Sequence, residues 1–219
     1  MTPDKIRSKI QQVKEQRLTE LDLSGNSLTE IPTEVFELAW LEILKLSRNQ
    51  LTTVPENITR LTNLSVLDLS FNKLTNVPES LTRLTNLSEL NLTFNQITSV
   101  PEAITNMTNL FELNLTLNQM TSIPEAITSM TNLSVLDLRG NKLKILPDAI
   151  SRMINLSYLD IACNQLTMVP EAITRITNLS QLYLGSNPLE DPPIQIAEQG
   201  IDAIREYFRY KQARENKSI

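Results

Sequence analysis

Asp137 and Asp160 are the residues whose type and spacing come nearest to a chemical site. They stand 23 residues apart, each in the same sequence context. If strands recur at that interval, the two carboxylates are side by side, about 4.8 Å apart. Paired carboxylates can support general acid–base chemistry or bind a cation. The alternative, which we favour, is a solvated pair whose mutual repulsion is offset by Arg139.

Other catalytic chemistry has few residues to use. The chain has no histidine, which removes histidine acid–base catalysis, histidine metal ligands and a Ser-His-Asp triad. Cys163 is the single cysteine and has no histidine to activate it, so we interpret it as a packed small thiol. No zinc-ligand spacing occurs. The sequence therefore predicts no enzyme activity, no catalytic residue, no metal site and no cofactor.

Eight asparagines recur at one constant interval and dominate the organisation of the chain. They are Asn26, Asn49, Asn72, Asn95, Asn118, Asn141, Asn164 and Asn187. A fixed period of this length is typical of a solenoid, in which each repeat packs only on its neighbours. We predict that these asparagines are structural, because a buried amide can bond the backbone groups that a turn would leave without partners.

Each asparagine occupies the N position of the pattern L-x-x-L-x-L-x-x-N-x-L, as Asn72 does in residues 64–74. Alternating leucines such as Leu67 and Leu69 indicate a short strand with one buried face. A proline and then an acidic residue follow in most repeats, for example Pro55 and Glu56, and favour a short helix. This pattern resembles the leucine-rich repeat. It predicts an α/β solenoid, a curved right-handed horseshoe with a parallel concave sheet and short 3-10 or α turns on the convex side.

The chain is expected to form one domain, 1–219, without a linker. Residues 18–193 hold about eight repeats of 23 residues, and a solenoid needs a cap at each open end. Residues 1–17 are predicted to form an N-terminal helical cap, with Thr2 as the N-cap of a helix over 3–16. Residues 194–219 are predicted to form a C-terminal helical cap, with a helix of about 15 residues after Gly200.

The C-terminal segment carries a narrower resemblance. Residues 187–193 read Asn-Pro-Leu-Glu-Asp-Pro-Pro, and residues 200–208 read Gly-Ile-Asp-Ala-Ile-Arg-Glu-Tyr-Phe. Together with the repeats, this looks like the N-terminal leucine-rich repeat domain of bacterial Roco proteins. In that family the segment leads into a Ras-like GTPase (Roc) and a dimerising COR module, which implies intramolecular partners. The chain itself lacks the pattern G-x-x-x-x-G-K-[ST], so it is either an excised domain or a stand-alone relative.

The side chains that alternate with the strand leucines should face the concave side. The candidate partner-binding residues are Phe71, Phe94, Leu117, Glu89, Glu112, Asn91, Asn114, Asp137, Tyr158, Asp160 and Tyr183. A basic or amide-rich peptide would suit the glutamates and asparagines. The run of Phe71, Phe94 and Leu117 has two interpretations, an interface or a spine that packs between coils. We keep both open and give the spine slight preference.

Composition narrows the function and the location. A net charge of −5, with no basic stripe, argues against a nucleic-acid or anionic-membrane role. The start lacks a signal-peptide apolar stretch, and one cysteine leaves no disulfide cap, so we expect the cytoplasm. We therefore predict a protein-interaction scaffold with a protein partner, monomeric or else dimeric through an exposed apolar row. The alternative is a secreted adhesin or host-directed effector.

Overall fold

The computed structural model describes residues 3–216, which contain one open sheet of eight parallel strands in sequential order. Each strand is three residues long. They are β1 Glu20–Asp22, β2 Ile43–Lys45, β3 Val66–Asp68, β4 Glu89–Asn91, β5 Glu112–Asn114, β6 Val135–Asp137, β7 Tyr158–Asp160 and β8 Gln181–Tyr183. Every pair of neighbours is in register at the repeat interval, for example Leu67 opposite Leu90. The predicted α/β solenoid with a parallel sheet is confirmed.

The central residue of each strand points into the core. All eight central leucines are buried, and the second alternating position, such as Leu69 and Leu92, is fully buried as well. Met107, Met130 and Met153 complete the interior behind the sheet, as expected for flexible apolar fillers. One continuous hydrophobic cluster therefore runs the length of the solenoid.

The asparagine side chains connect each coil to the one before it. Asn118 is representative: its Oδ1 accepts the Ile97 N–H at 2.9 Å, and its Nδ2 donates to the Leu92 and Leu115 carbonyls at 3.0 Å. All eight asparagines are buried. From Asn49 to Asn187 each amide bonds backbone of its own coil and of the preceding coil, so the ladder joins the repeats directly.

Short helices on the convex side follow a proline in each repeat. Six are 3-10 helices, Thr33–Glu37, Glu56–Arg60, Glu79–Arg83, Glu102–Asn106, Asp148–Arg152 and Glu171–Arg175, and one is an α-turn, α2 Glu125–Thr128. The prolines precede these helices and are not inside their first turn: Pro55 has extended φ/ψ, and its carbonyl accepts the Ile58 N–H at 3.0 Å. The fixed φ of proline suits that entry, and its missing N–H costs no bond there.

The N-terminal helix α1, Pro3–Gln16, covers the first coil. It buries Ile6, Ile10 and Val13, and Lys14 Nζ lies 2.6 Å from Glu37 Oε2 on the first 3-10 helix. The amphipathic pattern therefore predicted the helix and its buried face correctly. The predicted N-cap, Thr2, lies outside the described residues.

Two helices, α3 Ile194–Ala197 and α4 Ile201–Glu215, cover the last coil. Helix α4 buries Ile201, Ile204 and Phe208. Arg205, which looks like a surface residue in the sequence, donates to the carbonyls of Ile176 and Leu179 at 2.8 and 3.2 Å. It thus satisfies backbone acceptors at the exposed end of the solenoid. In the described part of the chain no helix is long and apolar enough to cross a membrane.

Asp191 attaches α4 to the end of the repeats. Its carboxylate accepts the Tyr207 hydroxyl at 2.7 Å and Lys211 Nζ at 2.6 Å. Burial by itself would raise the pKa of Asp191, but the hydrogen bonds from Lys211 and Tyr207 outweigh it and lower the pKa. The sequence pattern predicted this helix but not the carboxylate that holds it.

The asparagine ladder predicts a large penalty for losing one rung. We expect Asn118→Ala to lower the free energy of unfolding by about 3 kcal/mol or more, because several buried backbone groups lose their partner. Chemical denaturation monitored by circular dichroism measures this. The matched control is Asn109→Ala, which removes an exposed asparagine with a single bond to the Thr85 carbonyl, and should cost about 1 kcal/mol or less. Equal losses for the two variants would contradict the structural role of the ladder.

Candidate interaction surface on the concave sheet

The exposed face of the sheet consists of two parallel rows of side chains. The start row, at the first residue of each strand, is Glu20, Ile43, Val66, Glu89, Glu112, Val135, Tyr158 and Gln181, and the end row is Asp22, Lys45, Asp68, Asn91, Asn114, Asp137, Asp160 and Tyr183. Since the central leucine of every strand faces the core, both rows face away from it. The solenoid thereby collects side chains that are 23 residues apart in sequence into continuous lines.

The end row also closes the turn that follows each of six strands, a role not expected from the repeat pattern. Its Oδ1 atoms accept the backbone N–H two residues later: Asp137 that of Arg139, and Asn114 that of Thr116, both at 3.0 Å. Aspartate and asparagine commonly close such turns. A partner therefore meets only the remaining polar atom of each side chain. The sequence could have predicted these turns, because the end row is Asp or Asn in six of the eight strands.

Carboxylates outnumber basic side chains on β4–β7, where Arg139 approaches only Asp160 within ion-pair distance in the described residues. Glu89 is in register with Glu112, and Asp137 with Asp160. The pKa of Glu112 is raised by burial first, then by the charges of Glu89 and Asp137. The first strands differ, because Lys45 Nζ lies 2.6 Å from Glu20 Oε1 and neutralises it.

Asp160 is the most buried carboxylate of the surface, with 8% of its side chain exposed. Its Oδ1 accepts the Ala162 N–H at 2.9 Å, and Arg139 Nη1 lies 3.9 Å from its Oδ2. Burial raises the pKa of Asp160, and the Asp137 charge adds to the rise. Among residues 3–216 no group of three or more Asp, Glu or Cys side chains is arranged to hold a metal ion.

Two tyrosines adjoin these carboxylates. The rings of Tyr158 on β7 and Tyr183 on β8 are 5.5 Å apart at their centroids and tilted by 51°. The pKa of Tyr158 is raised by burial and then by Asp137 and Asp160, so its hydroxyl stays protonated at neutral pH. Neutral aromatic faces beside carboxylates are suited to contact with a cationic side chain.

Phe71, Phe94 and Leu117 lie beyond the strand ends and form a separate line, the apolar strip. Phe71 and Phe94 stack with centroids 4.8 Å apart, and the Arg48 guanidinium lies 5.1 Å from the Phe71 ring. The exposed fractions are 39% for Phe71, 51% for Phe94 and 47% for Leu117. These side chains therefore stack from coil to coil, as the spine interpretation expects, and are still about half exposed, as an interface requires.

The backbone explains why the apolar strip faces solvent. Phe71, Phe94 and Leu117 have φ of 53° to 55°, in the left-handed region that bulky residues seldom occupy. Gly140 takes the same conformation one coil further, and a Cβ built on it would lie 2.7 Å from Leu117 Cδ2. Leu117 thus extends over the bare glycine, where the strip ends.

The repeat pattern and the fold both agree with known proteins. The family model described as leucine rich repeat matches residues 16–74 and 85–143, and a two-copy model matches 62–106. The chain belongs to the leucine-rich repeat family. A search of curated proteins finds no match. Leucine-rich repeats generally mediate protein–protein interaction, and their fold is a typical non-enzymatic scaffold.

Solved leucine-rich repeat structures extend the comparison. A Leptospira interrogans leucine-rich repeat protein has 30% identity and a TM-score of 0.66, and the match covers 88% of this chain and 60% of that protein. The plant peptide hormone receptor RGFR1, in complex with RGF2, has 32% identity and a TM-score of 0.68, with 82% of this chain and 30% of the receptor covered. A Listeria monocytogenes internalin shares 22% identity and the fold, with a TM-score of 0.64. The chain thus spans less than two thirds of each of these proteins.

The like-charge pair on β4 and β5 predicts a stabilising substitution. We expect Glu112→Gln to raise the free energy of unfolding at neutral pH by about 0.5 kcal/mol, because the like charges of Glu89 and Glu112 lie directly opposite each other and repel. The raised pKa of Glu112 sets the sign of the pH effect: the penalty is absent when Glu112 is protonated and grows as pH rises through the raised pKa. The advantage of the variant over wild type should therefore disappear on acidification below about 4. Denaturation curves across this pH range test it, and a constant difference at all pH values would contradict it.

The exposure of the apolar strip predicts a mild effect of truncation. Phe94→Ala should lower the free energy of unfolding by about 1 kcal/mol, because it removes a stacked but half-exposed ring. Truncation of the neighbouring core residue, Leu92→Ala, should cost about 2–5 kcal/mol. Similar losses in urea denaturation would indicate that Phe94 contributes to the core after all.

Proposed function

We propose that the protein is a non-catalytic interaction module that binds a protein partner on its concave sheet, and that the partner presents a basic or amide-rich segment. The charge of the two exposed rows carries this proposal. They contain seven carboxylates, Glu20, Asp22, Asp68, Glu89, Glu112, Asp137 and Asp160, against the single amine of Lys45, a net −6. The whole chain has −5, so the remainder, which includes Arg139 beside these carboxylates, is nearly neutral at +1.

Concentration of charge on one face has a physical consequence. Negative potential focused on a concave surface attracts cationic segments and orients them before contact. A charge spread evenly over the molecule would serve solubility but would select no face. Half-buried Tyr158 and exposed Tyr183 at the β7–β8 end supply aromatic contact area beside the carboxylates, a composition that favours binding.

The comparisons support a protein or peptide as the partner class. The plant receptor that is similar over 82% of this chain is a peptide hormone receptor and was solved in complex with RGF2. The concave sheet of this chain offers an extended line of polar and aromatic side chains of the kind that a peptide crossing the strands can follow. The sequence supports a non-catalytic role, since it provides no histidine for acid–base work.

A finer role, as the recognition arm of a Roco-type GTPase in the cytoplasm, rests on residues 187–208 alone. The alternative role, a secreted adhesin or effector, rests on the fold class. The nucleotide sequence downstream of Ile219 in the native gene distinguishes them, because the Roco role requires a phosphate-binding loop there. Fractionation of the source cells tests the cytoplasmic location directly.

The charge proposal predicts a surface-specific loss of binding. A short peptide of alternating lysine and glycine should bind the wild-type protein at low ionic strength, and its glutamate–glycine counterpart should not. The double variant Glu89→Gln/Glu112→Gln should weaken binding roughly threefold to tenfold, because each exposed charge pair contributes about 0.2–1 kcal/mol. Fluorescence anisotropy measures the change in Kd.

The control places the same charge change on the convex side. Glu79→Gln/Glu102→Gln removes two carboxylates next to the helix-initiating prolines and should leave the Kd within about twofold, since these charges lie away from the sheet and are screened. An equal loss for both double variants would show that net charge alone governs binding. It would count against the concave face.

A further inference from the structure

Within residues 3–216, Arg139 is the one basic side chain that forms an ion pair with a carboxylate of β4–β7. It follows β6 by two positions, and the equivalent positions on the neighbouring coils are Thr116, Ala162 and Gly185. Its guanidinium reaches over Asp160, and its charge also acts on the Tyr158 hydroxyl. A single cation therefore lies beside Asp160 and acts on Tyr158, and the Asp137 carboxylate is on the adjacent strand, in register with Asp160. This is the place where the proposed function requires a partner's cation.

The Arg139 side chain is held loosely. Its Nη1 is 3.9 Å from Asp160 Oδ2, whereas the convex pair Arg152–Glu125 closes to 2.8 Å. More than half of the Arg139 side chain is exposed. A single distant contact without bidentate geometry contributes little to stability. The guanidinium can therefore leave Asp160 at low cost.

The Arg139 backbone, in contrast, is firmly placed. Its N–H donates to Asp137 Oδ1 at 3.0 Å, and its carbonyl accepts the Leu117 N–H at 2.8 Å. Both bonds are independent of the side chain. Replacing the side chain therefore leaves the turn after β6 intact, and the fold does not depend on the guanidinium.

From this arrangement, and resting on the proposed function, we propose that Arg139 is an internal competitor: its guanidinium occupies the subsite formed by Asp137, Asp160 and Tyr158 that a lysine or arginine side chain of the partner takes on binding. The subsite has one guanidinium for two carboxylates, and Asp160 is nearly buried. An incoming cation that displaces Arg139 gains both carboxylates and the tyrosine ring face. Arg139 then releases its charge to solvent, and its presence sets the affinity for basic partners.

The experiment removes the competitor and measures the lysine–glycine peptide by fluorescence anisotropy. We expect Arg139→Gln to bind about threefold to tenfold more tightly than wild type. The matched control, Arg152→Gln, removes one positive charge of similar exposure from the convex side and should change the Kd by less than twofold. An unchanged or weaker affinity of Arg139→Gln overturns the proposal.

A double-mutant cycle separates occupancy from simple repulsion. Asp137→Asn keeps an Oδ1 acceptor for the Arg139 N–H, so the fold is retained. On the preceding coils Asn91 and Asn114 accept the equivalent N–H groups of Thr93 and Thr116 at 3.0 Å. The substitution does remove one negative charge from the subsite. In the Asp137→Asn background, the gain from Arg139→Gln should shrink to less than half. An undiminished gain overturns the proposal, because repulsion by Arg139 would then act without the subsite.

The outcomes for the two proposals are distinguishable. If wild type binds the peptide but Arg139→Gln shows no gain, the competitor proposal fails and the basic-partner function stands. If neither protein binds, both fail. If only Arg139→Gln binds, the competitor proposal is supported in its strongest form.

Discussion

The asparagine amide at the end of each strand is the interaction on which the rest of the structure depends. From Asn49 to Asn187, each of these side chains accepts an N–H from the preceding coil and donates to carbonyls of both coils, as Asn118 does. A buried turn has few other ways to satisfy its backbone, because water is excluded and the strands are only three residues long. The amide therefore forces every coil to turn at the same residue. The constant interval of 23 residues between asparagines agrees with this requirement.

A ladder with one register places like residues on like. In the core this is favourable, since leucine stacks on leucine along the whole cluster. On the exposed face the common register is favourable where Phe71 stacks on Phe94. It is unfavourable where Glu89 lies opposite Glu112 and Asp137 opposite Asp160, because like charges repel. Because the leucines and asparagines supply the stability, the exposed rows can carry repulsive pairs that a smaller sheet would not tolerate. The concave face thereby carries more carboxylates than basic side chains.

At the two ends of the solenoid the helices follow from the sequence pattern, whereas the contacts that hold the C-terminal helix do not. The amphipathic helices were evident from the spacing of Ile6, Ile10 and Val13 and of Ile201, Ile204 and Phe208. The contacts that fasten the C-terminal helix were not, because Asp191, Tyr207 and Arg205 meet partners that are 16 to 29 residues distant. Such pairings have no period, and so they leave no trace in a repeat pattern.

The sequence by itself determined the solenoid, the strands, the asparagine ladder and the two rows of the concave face, because one residue periodicity dictates them all. It could not decide where Phe71, Phe94 and Leu117 point, since that depends on a positive φ that the turn imposes on residues that otherwise avoid it. Nor could it show that Arg139 Nη1 lies as far as 3.9 Å from Asp160 Oδ2. It also could not show that Asp137 and Asp160 each use one oxygen to accept a backbone N–H of the following turn. These features arise from distances between side chains, and only the packing of adjacent coils sets those distances.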